Sequence, residues 1–278
     1  MRESILNKRG YKLLVLDIDG TLVNGSGRVS PRDKEVLDRV RDAGIRIALS
    51  TGRAYRGCTR ILDTLGLDSY HIFFDGALVG NHDLSEEICA MPLDKKLVKE
   101  VVDVAGELRI DLELFSATEY FAGRETWSTG VHRSFFAVNA RIVDFPSLYE
   151  TERIIKGGLV TLDAEEEKKT AALQQRFEGK LEFSRARTPA YPGVTFNNIL
   201  APLVSKGKAL EVLAAHLGLS LGEVMAVGDG GNDISLVRTA GLGVAMGNAT
   251  EELKEVADFV TSDIDDGGLA AAIERFLL

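Results

Sequence analysis

Cysteine is nearly absent. Cys58 and Cys89 are the only two in 278 residues, with no Cys-x-x-Cys pair and no cysteine/histidine ligand spacing. That argues against a disulfide framework and against a structural zinc site, and fits two reduced thiols. Long apolar runs are missing too: none reaches the roughly 18 residues a membrane span requires. The start, Met1 to Tyr11, is polar and charged, and the run Leu13-Leu14-Val15-Leu16 behind it is too short for a signal-peptide core. A soluble cytoplasmic protein with no membrane partner is expected. Positive charge is in deficit, Lys+Arg 33 against Asp+Glu 42, net −9. The deficit argues against a nucleic-acid partner but leaves an anionic small molecule open, because local charge can oppose the global sign. Repeats and low-complexity tracts are absent as well. What is present, 45% hydrophobic and 27% charged residues, suits a globular chain of one large or two ordinary domains.

The apolar residues cluster in short runs. Leu13 to Leu16 reads as a strand buried on both faces; it ends at Asp17 and passes into Gly20, Gly25 and Gly27. Ser30 and Pro31 then make an N-cap and a first helical residue, Val36, Leu37 and Val40 an apolar stripe, and Gly44 a stop. A strand over 45–49 leads to Ser50-Thr51-Gly52-Arg53, a helix reaching about Leu65, and a third strand over 71–74. Such alternation predicts a parallel sheet with helices on its faces. It returns late in the chain as a helix over 206–216, a strand over 224–227, a helix from about Asp233 and a strand over 242–245. Between them the texture changes. Helical patterns at 94–108 and 163–177 alternate with extended stretches at 112–115, 134–138, 159–162 and 180–183. The expected fold class is α/β: a Rossmann-like doubly wound parallel sheet core from residues 1–80 and 190–278, carrying an inserted α+β cap domain at 81–189.

Ligands of open parallel sheets sit beyond the carboxyl ends of the strands. Asp17, Thr51 and Asp229 each follow a predicted strand there. If the strands of Asp17 and Asp229 are neighbours, two carboxylates converge. That favours a hard divalent cation, Mg²⁺ beside phosphate, which would relieve their repulsion. Lys206 opens a helix and adds a point charge, while Gly20 and Gly52 permit close backbone approach.

These residues resemble a known family. Asp17-Ile18-Asp19-Gly20-Thr21-Leu22 is similar to the first motif of the haloacid dehalogenase (HAD) superfamily in its phosphatase form. Thr51 within Ser50-Thr51-Gly52-Arg53 resembles the second motif, Lys206 the third, and Gly228-Asp229-Gly230-Gly231-Asn232-Asp233 the fourth. The tail from Gly243 to Ala249, followed by Ala257-Asp258, is similar to the Cof-like subfamily, and the insertion resembles a class II, subclass B cap. Four motifs in order at both ends of the chain make the match specific.

The resemblance implies a Mg²⁺-dependent phosphatase acting on a small phosphomonoester, with sugar phosphates as the first class and nucleotides and phosphorylated cofactors open. Asp17 would be the nucleophile that becomes an aspartyl-phosphate, and Asp19 the acid and then the base. Mg²⁺ would be held by Asp17, the backbone carbonyl of Asp19 and Asp229. Asp233 would hold a metal-bound water or merely cap the following helix. Ile18 through its N–H, Thr51, Gly52, Lys206 and Asn232 would cradle the phosphoryl oxygens. Trp127, His132 and Arg133 are candidates for contacting the leaving group, and Arg53 and Arg56 either meet an anionic substrate or are solvated. Two departures stand out: Asp75-Gly76-Ala77 where Asn-Gly-Ala is usual, and residues 189–203, expected to form a hinge and cap edge. A phosphotransferase or mutase using the same intermediate, and a silent binding protein on the same scaffold, are the alternatives.

Overall fold

The computed structural model describes residues 10–188 and 190–278; Pro189, at the expected domain boundary, and the Phe135 side chain lie outside the description. Strand β1 (Leu13–Leu16) is fully buried and feeds α1 (Pro31–Asp42), capped by Ser30 Oγ, which accepts the Asp33 N–H at 3.0 Å. The chain continues through β2 (Arg46–Leu49), α2 (Thr59–Leu65), β3 (Tyr70–Phe73), β4 (Leu78–Asn81) and β5 (Glu87–Ala90). The last three form an antiparallel sheet, joined to β2 through a parallel bridge between Ser50 and Ile72. The inserted segment follows with α3 (Lys95–Leu108), β6 (Glu113–Phe115), β7 (Tyr120–Ala122), α4 (Trp127–Phe135), β8 (Arg141–Ile142), α5 (Phe145–Thr151), β9 (Lys156–Thr161), α6 (Ala164–Arg176), β10 (Glu182–Ala186) and β11 (Thr195–Leu200). The chain then returns through α7 (Lys206–His216), β12 (Val224–Gly228), α8 (Ile234–Thr239), β13 (Leu242–Ala245), α9 (Glu251–Val256), β14 (Phe259–Val260) and α10 (Gly268–Phe276).

The returning strands pair in parallel with the first two in the order β14-β13-β12-β1-β2. Alternate residues of β1 enter different cores. Leu14 and Leu16 pack with Val36 and Val40 of α1, and Leu13 and Val15 with Leu210 and Leu213 of α7. A strand with helices on both faces needs apolar residues throughout, which is why β1 reads as an unbroken apolar run. The chain leaves β1 toward β2 on one side and returns as β12 on the other. That reversal leaves a crevice between their carboxyl ends.

The second sheet runs β10-β11-β9-β6-β7-β8, antiparallel except for the β7–β8 pair. Register places Phe115 beside Lys156, Glu113 beside Gly158, Gly158 beside Asn198, and Val160 beside Phe196. With side chains alternating, Glu113, Phe115, Lys156, Asn198 and Phe196 share one face.

Three expectations need correcting. The stretch 134–138 is the end of α4 and the turn after it, not a strand. Its aromatic and β-branched residues suggest extension, but Thr126 and Thr129 close a capping box that starts a helix at Trp127. The strand Thr195–Leu200 is an interior strand of the six-stranded sheet, so a boundary at 190 cuts through that sheet. At the other end, Glu87–Ala90 still pairs with Leu78–Asn81 and packs on α7, beyond the expected boundary at 80.

Candidate active site

The floor of the site is built where β1 and β12 end. Asp17 N–H continues the ladder, donating to Val227 O at 3.0 Å, so its buried carboxylate emerges beside the Gly228–Asp233 loop. Gly20 turns the chain at φ +93°, and any Cβ there would enter the Asp229 carboxylate; only glycine fits. Lys206, the first residue of α7, is 1% exposed. Its Nζ donates to Asp17 Oδ1 at 2.7 Å and to Asp233 Oδ1 at 2.6 Å. The other oxygen of Asp233 accepts the N–H groups of Asp229 (3.1 Å) and Gly230 (2.9 Å), so it ties its own loop rather than capping α8. Asp229 Oδ1 accepts from Thr21 Oγ1 at 3.0 Å.

One oxygen from each of Asp17, Asp229 and Asp233 lies within 4.8 Å of the others. Burial, then the charge of Asp233, pushes Asp17 up to about 7 despite Lys206. Burial, Asp17 and Asp233 raise Asp229 well above the usual carboxylate range. For Lys206 burial alone would lower the pKa, but Asp17 and Asp233 outweigh it and hold it charged. Three hard oxygen donors with unrelieved repulsion fit a divalent metal ion. The Asp19 carboxylate is not part of this group. It is gripped in bidentate fashion by Arg53, at 2.7 Å from Nε and 2.6 Å from Nη2.

Above this floor lies a cavity of about 330 Å³. Asp17, Asp19, Thr51, Gly52, Asp229, Asn232 and Asp233, all named from the sequence, line it. Two residues expected at the phosphoryl group, Ile18 through its N–H only and Lys206, present no side chain to the cavity. Ile18 is packed in the core, so only its backbone is near, and Lys206 lies beneath Asp17. Thr51 Oγ1 also accepts the Arg53 N–H at 3.1 Å, serving the local turn at the same time.

Asp75 is the residue whose role the sequence leaves open, and it faces the site. Phe74 and Asp75 both take positive φ (52° and 54°), which turns the carboxylate inward. There it accepts from Ser184 Oγ (2.6 Å), Asn198 Nδ2 (2.7 Å) and Asn232 Nδ2 (2.8 Å). It thereby links β10 and β11 to the Asp229 loop.

The roof carries residues that motif reading misses: Lys156, Phe115, Phe136, Phe196 and Asn198. Lys156 is 6% exposed and donates to Asn198 Oδ1 (3.0 Å) and Gly52 O (3.1 Å), with its Nζ 4.7 Å from the Phe115 ring centroid. Of the three leaving-group candidates, only His132 lines the cavity. It is held 2.8 Å from Glu113 Oε2, and Glu113 Oε1 accepts from Tyr120 and Ser128 at 2.8 Å each. Trp127 is 39% exposed and donates to Glu166, and Arg133 pairs with Glu125 at 2.6 Å, both away from the cavity. Arg56 is likewise exposed, paired with Glu119 at 2.6 Å.

A cluster of carboxylates and a buried lysine at the switch point of a doubly wound sheet, roofed by a second sheet, defines the class: a metal-assisted phosphoryl-transfer hydrolase. Residues 14–273 match the haloacid dehalogenase-like hydrolase family, to which the chain belongs. YxeH of Bacillus subtilis (strain 168) is 31% identical over 273 residues, covering 96% of this chain and 99% of its own. The 5-amino-6-(5-phospho-D-ribitylamino)uracil phosphatase YcsE of the same strain is 27% identical, covering 96% of both chains. Among solved structures, the HAD subclass IIB sugar phosphatase BT4131 superposes with a TM-score of 0.82 at 27% identity, covering 95% of this chain and 98% of its own. The chain is a phosphoric monoester hydrolase of this family. No helix among the described residues is long and apolar enough to cross a membrane.

Proposed function

We propose that this site hydrolyses the monoester of a small phosphorylated metabolite, with Mg²⁺ as the cation and Asp17 as the nucleophile. The carrying observation is the convergence of Asp17, Asp229 and Asp233 around Lys206 beneath the cavity. Asp17 Oδ attacks phosphorus and the bond to the leaving oxygen breaks; Asp19 supplies the proton that oxygen takes. Asp19 then takes a proton from the water that attacks the aspartyl-phosphate, releasing inorganic phosphate and restoring Asp17. Thr51, the Gly52 N–H and Asn232 orient the phosphoryl oxygens from the cavity wall, and the Ile18 N–H does so from the backbone. Lys206 acts from below, holding Asp17 and Asp233 in place. A Mg²⁺ ion held by Asp17, Asp229, Asp233 and the Asp19 carbonyl would supply positive charge to the phosphoryl oxygens. Arg53 orients Asp19 by donating one N–H to each of its oxygens, which leaves a second lone pair on each oxygen for the proton.

The division that suits this chemistry is a catalytic core of residues 1–90 and 201–278 with a cap formed by 91–200, which shields the reaction from water. The free cysteines Cys58 and Cys89 suit a reducing cytoplasm. The test is phosphate release from a panel of phosphomonoesters, with Mg²⁺ and after its removal, for the wild type and Asp17→Asn. Turnover should need the metal and fall by at least about 10³-fold in the variant, whose circular dichroism should match the wild type. Wild-type rates from a clean preparation of Asp17→Asn would overturn the mechanism.

A further inference from the structure

The phosphatase reading leaves the leaving group unspecified, and the roof narrows it. Three kinds of group could meet an ester entering from the phosphoryl site: ring faces, hydroxyl-binding polar groups and charge. The half-buried rings of Phe136 and Phe196 stand 5.6 Å apart at 76°, and the His132 ring lies 5.3 Å from the first and 5.7 Å from the second. The wall also carries polar side chains: Arg185, paired with Glu167 at 3.3 Å, Thr188, whose Oγ1 accepts the Ala190 N–H at 3.3 Å, and Arg187. Asn198 is spent, its Oδ1 accepting from Lys156 and its Nδ2 donating to Asp75 and Ser184. A monosaccharide would turn hydroxyls toward the Phe136 and Phe196 rings, which offer them no hydrogen-bond partner, at a cost. A planar aromatic ring would lose nothing there and gain edge-to-face contacts.

Lys156 adds a second requirement. Two of its three N–H groups are used, on Gly52 O and Asn198 Oδ1, and it forms no ion pair among the described residues. Burial lowers its pKa, with Asp75 and Glu113 opposing from a distance. A buried cation without a contacting anion calls for one from the ligand. Its contact with Gly52, in the loop assigned to the phosphoryl group, puts it next to the first atoms of the leaving group.

Resting on the phosphatase reading, we infer that the site selects a phosphate ester whose leaving group is a single aromatic ring, held against Phe196 and Phe136, with an anionic or strongly accepting oxygen near the ester that Lys156 binds. Phe196 and Lys156 are then the specificity-determining residues. Alternation along β11, inside the expected hinge, turns Phe196 to the same face as Asn198, which accepts from Lys156.

The test measures binding in the Asp17→Asn protein with Mg²⁺ by calorimetry, so that turnover does not enter. The probes are phenyl phosphate, 2-carboxyphenyl phosphate and glucose 6-phosphate. Phenyl phosphate should bind at least about tenfold more tightly than glucose 6-phosphate, and the ortho carboxylate should add about another fivefold. Phe196→Ala should bring the ring-to-sugar ratio near one, with Phe196→Leu as the volume-keeping variant if the first fails to fold. Lys156→Met should remove the gain from the carboxylate and keep the ring-to-sugar ratio. Equal or tighter binding of glucose 6-phosphate, a ring preference that survives both Phe196 variants, or no binding by any probe would overturn the inference. Wild-type turnover of acetyl phosphate is scored separately. Its absence would sink the phosphatase reading while the binding ratios still decide the ring.

Discussion

Two lysines are buried at this site, Lys206 at the start of α7 and Lys156 at the start of β9, and they are held in opposite ways. Lys206, in the floor, touches two carboxylates at 2.7 and 2.6 Å. Lys156, in the roof, touches a carbonyl, an amide oxygen and the face of a phenyl ring. The floor is thus a closed electrostatic unit that needs its cation before any ligand arrives. The roof holds a cation whose anion is still to come. The floor is over-determined by charge, and the roof is left open to chemistry from the substrate.

The same substitution at both lysines breaks the comparison most directly. Lys206→Met strands Asp17 and Asp233 in a buried place, and should cost about 3–5 kcal/mol of stability with at least about 10²-fold of activity. Lys156→Met strands no anion in contact; it unpairs one carbonyl and one amide oxygen, for about 1–2 kcal/mol. Urea unfolding of the two variants decides it, and equal losses would refute the contrast. Next in size is the metal. At Mg²⁺ near 100 times its dissociation constant, the wild type should gain about 2.7 kcal/mol of stability. Asp229→Asn should lose most of that gain, whereas Glu113→Gln, in the roof, should keep it. A Mg²⁺ gain unaffected by Asp229→Asn would move the metal elsewhere.

How much of this the sequence shows follows the same division. The floor is legible because phosphoryl transfer demands particular residues at strand ends: the alternation puts Asp17 and Asp229 there, and the β1–β12 pairing brings them side by side. Lys206 was legible as a charge but not as a residue beneath Asp17, since depth below a surface has no sequence signal. The roof was hidden for three physical reasons. Its helix α4 carries an aromatic run that imitates a strand, and only the Thr126/Thr129 cap betrays it. Phe196 and Asn198 lie between turn-forming prolines, where two-residue alternation over a six-residue strand is faint. Asp75 reads as a turn residue, and only its positive φ brings its carboxylate to three donors from three different elements.

The last expected effect is the one in which floor and roof differ in sign. In the floor, Asp17 is raised from the usual 3.8 to about 7. The folded protein then binds more protons than the unfolded chain between those values, so Asp17 contributes stability that is present in acid and lost as pH rises from about 4 through about 7. In the roof, burial would raise Glu113, but His132 and the Ser128 and Tyr120 hydroxyls outweigh it and hold Glu113 below its usual 4.5. Its contribution is therefore present above 4.5 and lost as pH falls through its folded value. Urea midpoints in EDTA, compared between wild type and variant at each pH, isolate the two from other titrating groups such as His71, which burial lowers to about 4. The difference between wild type and Asp17→Asn should move against the wild type from pH 4 to 7, and added Mg²⁺ should flatten it. The difference between wild type and Glu113→Gln should move against the wild type only as pH falls below 4.5. Slopes of the same sign in both comparisons would show that the floor carboxylates are not crowded in the metal-free protein, and the need for a cation there would lose its physical basis.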